Sequence, residues 1–171
     1  MRAGISARDV ALVGMMVAMI EVCKFVMAPL PNLELTSFWV ILFALCFGMR
    51  IYFVVPVFIL LEGVVYGFGM WWFMYLYAWP ALALATRLMK DMDSPIGWAT
   101  VSGIFGLLFG AMCSIPYGVL GAVDGLDSGL RAAFAWWIAG IPFDLIHCAG
   151  NFLLMLVLYR PVRRAMESVH I

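Results

Sequence analysis

Three polar residues, Asp144, His147 and Asn151, interrupt an otherwise apolar run from Trp136 to Tyr159, WWIAGIPFDLIHCAGNFLLMLVLY. At about 100° per residue they share one helix face with Gly140, all within roughly 60° of one another. Trp136 stands near that face, one turn beyond Gly140. Two kinds of chemistry suit the set. Asp144 and His147 could exchange a proton as an acid–base pair. Alternatively, all three could hydrogen-bond a ligand. Spacing brings no nucleophilic Ser or Cys beside them, so ligand binding is the favoured reading. His147 and His170 are the only histidines, too few for a His-based metal site, and no metal or cofactor is expected.

Other polar groups occur at similar depth in apolar surroundings. Glu21 and Lys24 are spaced to pair with each other on one helix. Glu62, on another, could take Lys24 as its partner instead. All have a purely structural reading as internal ion pairs. Aromatic residues form a second group. In MWWFMYLYAWP, residues 70–80, Trp72, Tyr75 and Trp79 fall on one helical face. An interfacial aromatic belt accounts for Trp71, Trp72 and Tyr75. Trp79 lies about two turns deeper, and with Trp136 it could stack on a flat ligand. The stretch Pro31-Asn32-Leu33-Glu34-Leu35-Thr36-Ser37 has two readings. In one, Asn32 turns the chain, Thr36 or Ser37 caps the next helix, and Glu34 sits near its positive end. In the other, Asn32 and Glu34 belong to a lid over the polar pocket.

The elements that must position these residues follow from composition. Hydrophobic residues make up 66% of the chain and charged ones 12%, which leaves too little polar surface for a soluble domain. The expected fold is an all-α integral membrane protein, a single transmembrane domain over residues 1–171 with six helices in one bundle. These run over about Arg8–Ala28, Thr36–Met49, Ile51–Tyr66, Met70–Met89, Ile96–Leu120 and Leu130–Tyr159. Helices 2 and 3 fall at or below the roughly 17–25 residues that a span needs. They must tilt or end inside the membrane under cover of other helices. The apolar segment directly after Met1–Asp9 reads as a first transmembrane helix and not a removable signal. Cys23, Cys46, Cys113 and Cys148 lie in apolar segments without a C-x-x-C pair and read as small buried hydrophobes.

Sidedness comes from the basic residues. Arg2, Arg8, Arg50, Arg87, Lys90, Arg160, Arg163 and Arg164 fall on one side of a six-span chain, which puts both termini in the cytoplasm. At about 1.5 Å per residue, Asp144 lies roughly 24 Å above Arg160, His147 roughly 20 Å and Asn151 roughly 14 Å. Glu21, Lys24 and Glu62 reach comparable heights. The polar groups therefore crowd the middle and outer half, while the inner half is apolar. That suits a pocket open outward and closed inward, and it suits a proton wire poorly. The outer Gly121–Gly129 connection, acidic and Gly-rich, reads as a flexible exposed loop. No G-x-x-x-x-G-K-[ST] run is present, so ATP hydrolysis is not expected of this chain. No basic stretch suggests nucleic acid, and membrane lipid is an expected partner.

Small residues four apart let helices approach closely. Gly103, Gly106 and Gly110 read as packing within the chain. Ala7, Ala11, Gly14 and Ala18 line one face of helix 1, where another subunit could dock. Together with the six spans, the Pro31–Thr36 stretch, and Pro142-Phe143-Asp144-Leu145-Ile146-His147 followed by Asn151, this face makes the chain resemble the substrate-binding (S) subunits of energy-coupling factor (ECF) vitamin transporters. The family's helix 1 motif is often Ala-x-x-x-Ala, and its deeper copy here is Gly14-x-x-x-Ala18.

The resemblance implies a non-enzymatic capture subunit in a prokaryotic cell membrane. It would bind a vitamin or related micronutrient under the loop between helices 1 and 2. Ala7, Ala11, Gly14 and Ala18 would meet a membrane coupling subunit that carries two ATPase subunits. Asn32 and Glu34 would belong to the lid, and Tyr75, Trp79, Trp136, Asp144, His147 and Asn151 to the pocket. Two rivals stay open: a stand-alone proton-coupled carrier using Glu21, Glu62 and Asp144, and an intramembrane enzyme using Asp144 and His147. Asp144 and Glu34 favour a ligand with donors or positive charge, whereas Lys24 and His147 could equally take a carboxylate.

Overall fold

A computed structural model describes residues 6–168; Arg2 and His170 lie outside the described residues. The fold is all-helical, in the order α1 (Ala7–Met27), α2 (Thr36–Phe47), α3 (Ile51–Tyr66), α4 (Met70–Leu88), α5 (Pro95–Gly121) and α6 (Leu126–Ser168). Short 3-10 turns at Gly48–Arg50 and Ala122–Asp124 join α2 to α3 and α5 to α6. Local chemistry sets the boundaries. Ser6 and Asp9 form a reciprocal capping box at the start of α1. Ser94 accepts a bond from the Gly97 amide at 3.1 Å, with Pro95 opening α5. Gly48 and Gly67 follow α2 and α3 with φ of 62° and 91°, conformations that side chains resist.

α2 is the hub. It is apolar all round, and a helix of that kind belongs inside. Eight of its 12 residues are buried, Val40, Ile41 and Leu42 among them. The other helices wrap it, so α2 need not reach across a bilayer itself. At about 1.5 Å per residue its length is only about 18 Å. α1 is the opposite case. Only Leu12, Met16, Val17 and Ile20 of this helix are buried, while Val10, Val22, Phe25 and Val26 are exposed. Such apolar surface suits lipid. Four stretches are long and apolar enough to cross a membrane: Ala7–Met27, Thr36–Tyr66, Pro95–Asp124 and Leu126–Ser168. The second contains both α2 and α3, and the Trp- and Tyr-rich α4 is not among them.

α5 and α6 form a long antiparallel hairpin. Its close approach depends on glycine. A Cβ at Gly106 would lie 2.9 Å from the His147 carbonyl, and one at Gly103 would lie 3.3 Å from the Cys148 carbonyl. The α5 glycines therefore serve packing within the chain. α6 departs from expectation in length. It has 43 residues, about 65 Å of helix, and passes both the Leu130 start and the Tyr159 end read from sequence. The flexible Gly121–Gly129 loop is accordingly a 3-10 turn and the first turn of α6, broken only at Gly125 with φ of 113°. One exposed ion pair and one contact across the hairpin accompany it. Arg131 pairs with Asp127 at 3.2 Å, and Gly129, lacking a side chain, lets the α6 backbone rest on Gly118 of α5 and on Ala122 of the 3-10 turn.

The basic ends of the helices gather together. Arg50 donates to Asp9 at 2.8 Å and Arg87 to the Ala44 carbonyl at 3.0 Å, tying α1, α2 and α4. Arg163 reaches Asp93 and Glu167, each at 2.8 Å. The opposite end holds the candidate site.

Candidate functional site

The chain between α1 and α2 folds down onto α6. Asn32 turns it with φ of 59°, a left-handed conformation that Asn tolerates better than most residues. Leu33 then packs against Gly150, where a Cβ would overlap its side chain. Glu34 comes next and binds in several directions. Its Oε2 accepts from the Thr36 amide at 2.7 Å, and its Oε1 accepts from the Ser37 amide at 3.3 Å and from the Ser37 hydroxyl. The α2 N-terminus is thus capped by the Glu34 carboxylate. The expected cap from Thr36 or Ser37 is replaced because these are the first two residues of the helix itself, and their amides are taken by Glu34.

The same Oε1 lies 3.1 Å from His147 Nε2. A carboxylate can only accept, so Nε2 carries the proton and donates. Burial pushes the Glu34 carboxyl up. The adjoining His147 and the Ser37 and Thr36 donors outweigh that and bring it down to about 2. Glu34 is therefore a carboxylate at neutral pH, fixed at both the loop and α6.

Beneath the loop lies a cavity of about 190 Å³. α1 contributes Lys24 to its wall, the loop Asn32 and Glu34, and α2 Thr36. α4 contributes Tyr75 and Trp79, α5 Phe109, and α6 Phe143, Asp144 and His147. Trp79 is 1% exposed and stands edge-on to Tyr75 and Phe58, with ring centres 5.3 and 5.9 Å apart. Its indole N–H is buried without a partner. Phe109 packs edge-on to His147 at 4.9 Å.

The polar residues of the wall differ in how far they are satisfied. Lys24 pairs with Glu62 of α3 and not with Glu21, because α3 presents the nearly buried Glu62 carboxylate to its ammonium. Its Nζ also lies 5.3–5.6 Å from the ring centres of Phe58, Tyr66 and Tyr75. Glu21 Oε1 and Glu62 Oε1 are buried without partners. Asp144 is 5% exposed. Its Oδ1 accepts from the Gly110 amide at 2.9 Å, and its Oδ2 is buried without a partner. A Cβ at Gly110 would overlap this carboxylate. His147 is bonded to Glu34 and Asp144 to Gly110, so the two do not form the acid–base pair that their spacing allows.

Two expected pocket residues lie elsewhere. Asn151 is buried away from the cavity. Its Nδ2 donates to Ser37 Oγ at 3.1 Å and to the Ser102 carbonyl at 3.4 Å, joining α6 to α2 and α5. Trp136 is 43% exposed and stacks on Tyr117 with ring centres 3.7 Å apart. It lines an open groove on the flank of the hairpin with Ala132, Ala135 and Ala139. Eight residues at about 100° leave it about 80° from Asp144, enough to turn it from α4 toward Tyr117. Trp79 and Trp136 therefore cannot sandwich a ligand, and Phe109 and Phe143 supply the other aromatic surface. Phe143 adjoins Asp144 in the sequence, and Phe109 adjoins Gly110; their neighbours were the available signal.

Ala7, Ala11, Gly14 and Ala18 are all exposed, and nothing lies within 4 Å of a Cβ built at Gly14. The four cysteines are free and half-buried. Among the described residues, no three His, Cys, Asp or Glu side chains converge to hold a metal ion. Compared with protein-family models, curated proteins and solved structures, the chain matches none of them.

Proposed function

We propose that this chain is the substrate-capture subunit of an ATP-driven uptake system of the energy-coupling factor type, and that it is not an enzyme. It sits in a prokaryotic cell membrane as a bundle of six helices that cross or enter the bilayer, with both termini in the cytoplasm. The observation that carries the reading is the cavity roofed by the α1–α2 loop, with Glu34 of the roof bonded to His147 of α6. A roof held to α6 by one polar contact and by Leu33 against Gly150 can open to admit a small molecule and close over it. Toward the basic end, Val40, Ile41, Val54 and Ala83 are buried in the core, so packed apolar side chains stand between a captured ligand and the inner side. Release on the inner side then requires a larger movement driven from outside the chain. A coupling subunit with two ATPase subunits supplies it, docking on the exposed Ala7, Ala11, Gly14 and Ala18 face.

The substrate is a vitamin or related micronutrient. Mass spectrometry of small molecules that co-purify with the protein, followed by quenching of tryptophan fluorescence with a vitamin panel, tests the proposal. A bound compound that is returned unchanged is the expected result. Chemical turnover by the isolated chain, or uptake into liposomes without partner or ATP, would sink it.

A further inference from the structure

Given the capture role proposed above, we infer that the cavity selects a compact, flat cation whose N–H groups are received by Asp144, and discriminates against carboxylates. Lys24 and His147 are the two wall residues with basic side chains, and both are engaged. The Lys24 ammonium is neutralised by Glu62, and the His147 N–H is directed at Glu34. Asp144 is the reverse case: it lines the cavity, and its Oδ2, buried beside Gly110 and Gly140, has no donor, so a turn of the carboxylate toward the cavity gives it one from the ligand. A buried acceptor without a partner costs free energy that a ligand donor recovers.

Charge points the same way. Lys24 and Glu62 balance each other, which leaves Glu34, bonded to His147, and Asp144 as the remaining carboxylates of the wall. A carboxylate ligand would add a further negative charge in a poorly solvated space, where like charges repel strongly. A cation is attracted to the same field. The faces of Tyr75, Trp79 and Phe109 suit a delocalised flat cation, and Lys24 already lies 5.6 Å from the Tyr75 ring centre. The buried Trp79 N–H is a further unused donor. It satisfies a ring nitrogen or carbonyl but cannot offset a full negative charge. The volume of about 190 Å³ equals the space of about six water molecules, so the recognised part of the ligand is about one ring.

Benzamidine, benzamide and benzoate test this, because they share size and shape and differ in charge. Tryptophan fluorescence of the intact protein in lipid nanodiscs is titrated with each at neutral pH. Benzamidine is expected to bind tighter than benzoate by about tenfold or more, the range of a charge-assisted hydrogen bond, with benzamide between them. Asp144→Asn keeps an oxygen for Gly110 and is expected to remove the preference of benzamidine over benzamide. Benzoate binding as tightly as benzamidine overturns the inference, and so does binding of none of the three. The ordering in the unmodified protein decides the matter even if the variant fails to fold. The small molecules that co-purify separate the two proposals. A carboxylate bound without turnover upholds capture and overturns the cation preference, whereas absence of any bound molecule counts against capture itself.

Discussion

His147 Nε2 lies 3.1 Å from Glu34 Oε1 and joins the longest helix to the loop that roofs the cavity. The contact spans 113 positions of sequence. It is the roof's charged attachment to α6. Leu33 against Gly150 adds an apolar one.

His147→Ala removes the donor and leaves the Glu34 carboxylate with only the α2 groups. Hydrogen bonds to charged groups contribute about 1.5–3 kcal/mol. Ligand affinity should fall by about tenfold or more, mainly through faster dissociation. Amide exchange in residues 28–35 should quicken in the same variant, and unchanged exchange would show that Leu33 alone holds the roof.

The depressed Glu34 carboxyl makes stability depend on acid. Its value in the fold is about 2, against an ordinary 4.5. The unfolded chain therefore takes up the proton first as pH falls. Stabilisation is complete above pH about 4.5 and is lost as pH drops toward 2, by an amount on the order of 3 kcal/mol. Thermal unfolding followed between pH 6 and pH 2.5 should show Tm falling through this window. Glu34→Gln should flatten that part of the profile.

Lys24→Met strands the Glu62 carboxylate, whose side chain is 2% exposed. Breaking a buried pair from one side costs about 3–5 kcal/mol, and a clear drop in Tm is expected. The double change Lys24→Met with Glu62→Gln should recover part of that loss. Equal Tm values for the single and double variants would mean that the pair is solvated.

Gly106 and Gly14 should respond oppositely to alanine. At Gly106 the new Cβ meets the His147 carbonyl at 2.9 Å, so α5 and α6 must separate at a cost of about 1–3 kcal/mol. At Gly14 there is open space, and helix propensity favours alanine by about 1 kcal/mol. Gly14→Trp should leave ligand affinity intact while abolishing co-purification with a coupling subunit. Retained co-purification would place the docking face elsewhere.

Much of the architecture was legible because apolar runs and their breakers are local. Gly48, Gly67 and the Ser94-Pro95 pair mark helix ends by backbone chemistry that acts over a few residues. Helices 1 to 5 consequently start and stop within a residue or two of expectation. The ends of α6 were not legible. Asp127, Ser128 and Gly129 look like loop residues in isolation. They become helical because Gly129 lies on Gly118 and Ala122, a contact that exists only once the hairpin forms.

The polar face of the last helix shows the same division. Sequence periodicity by itself put Asp144, His147 and Asn151 on one face, since that requires only helical geometry. It also determined that they are too costly to leave in an apolar environment without partners. Tertiary structure alone decided the partners: Glu34 for His147, Ser37 and Ser102 for Asn151, the Gly110 amide and an unpartnered oxygen for Asp144. It also turned Trp136 onto Tyr117 and Lys24 onto Glu62. These choices depend on the height and rotation of one helix against another. Such quantities arise from side-chain packing between distant segments, which no spacing along a single segment encodes.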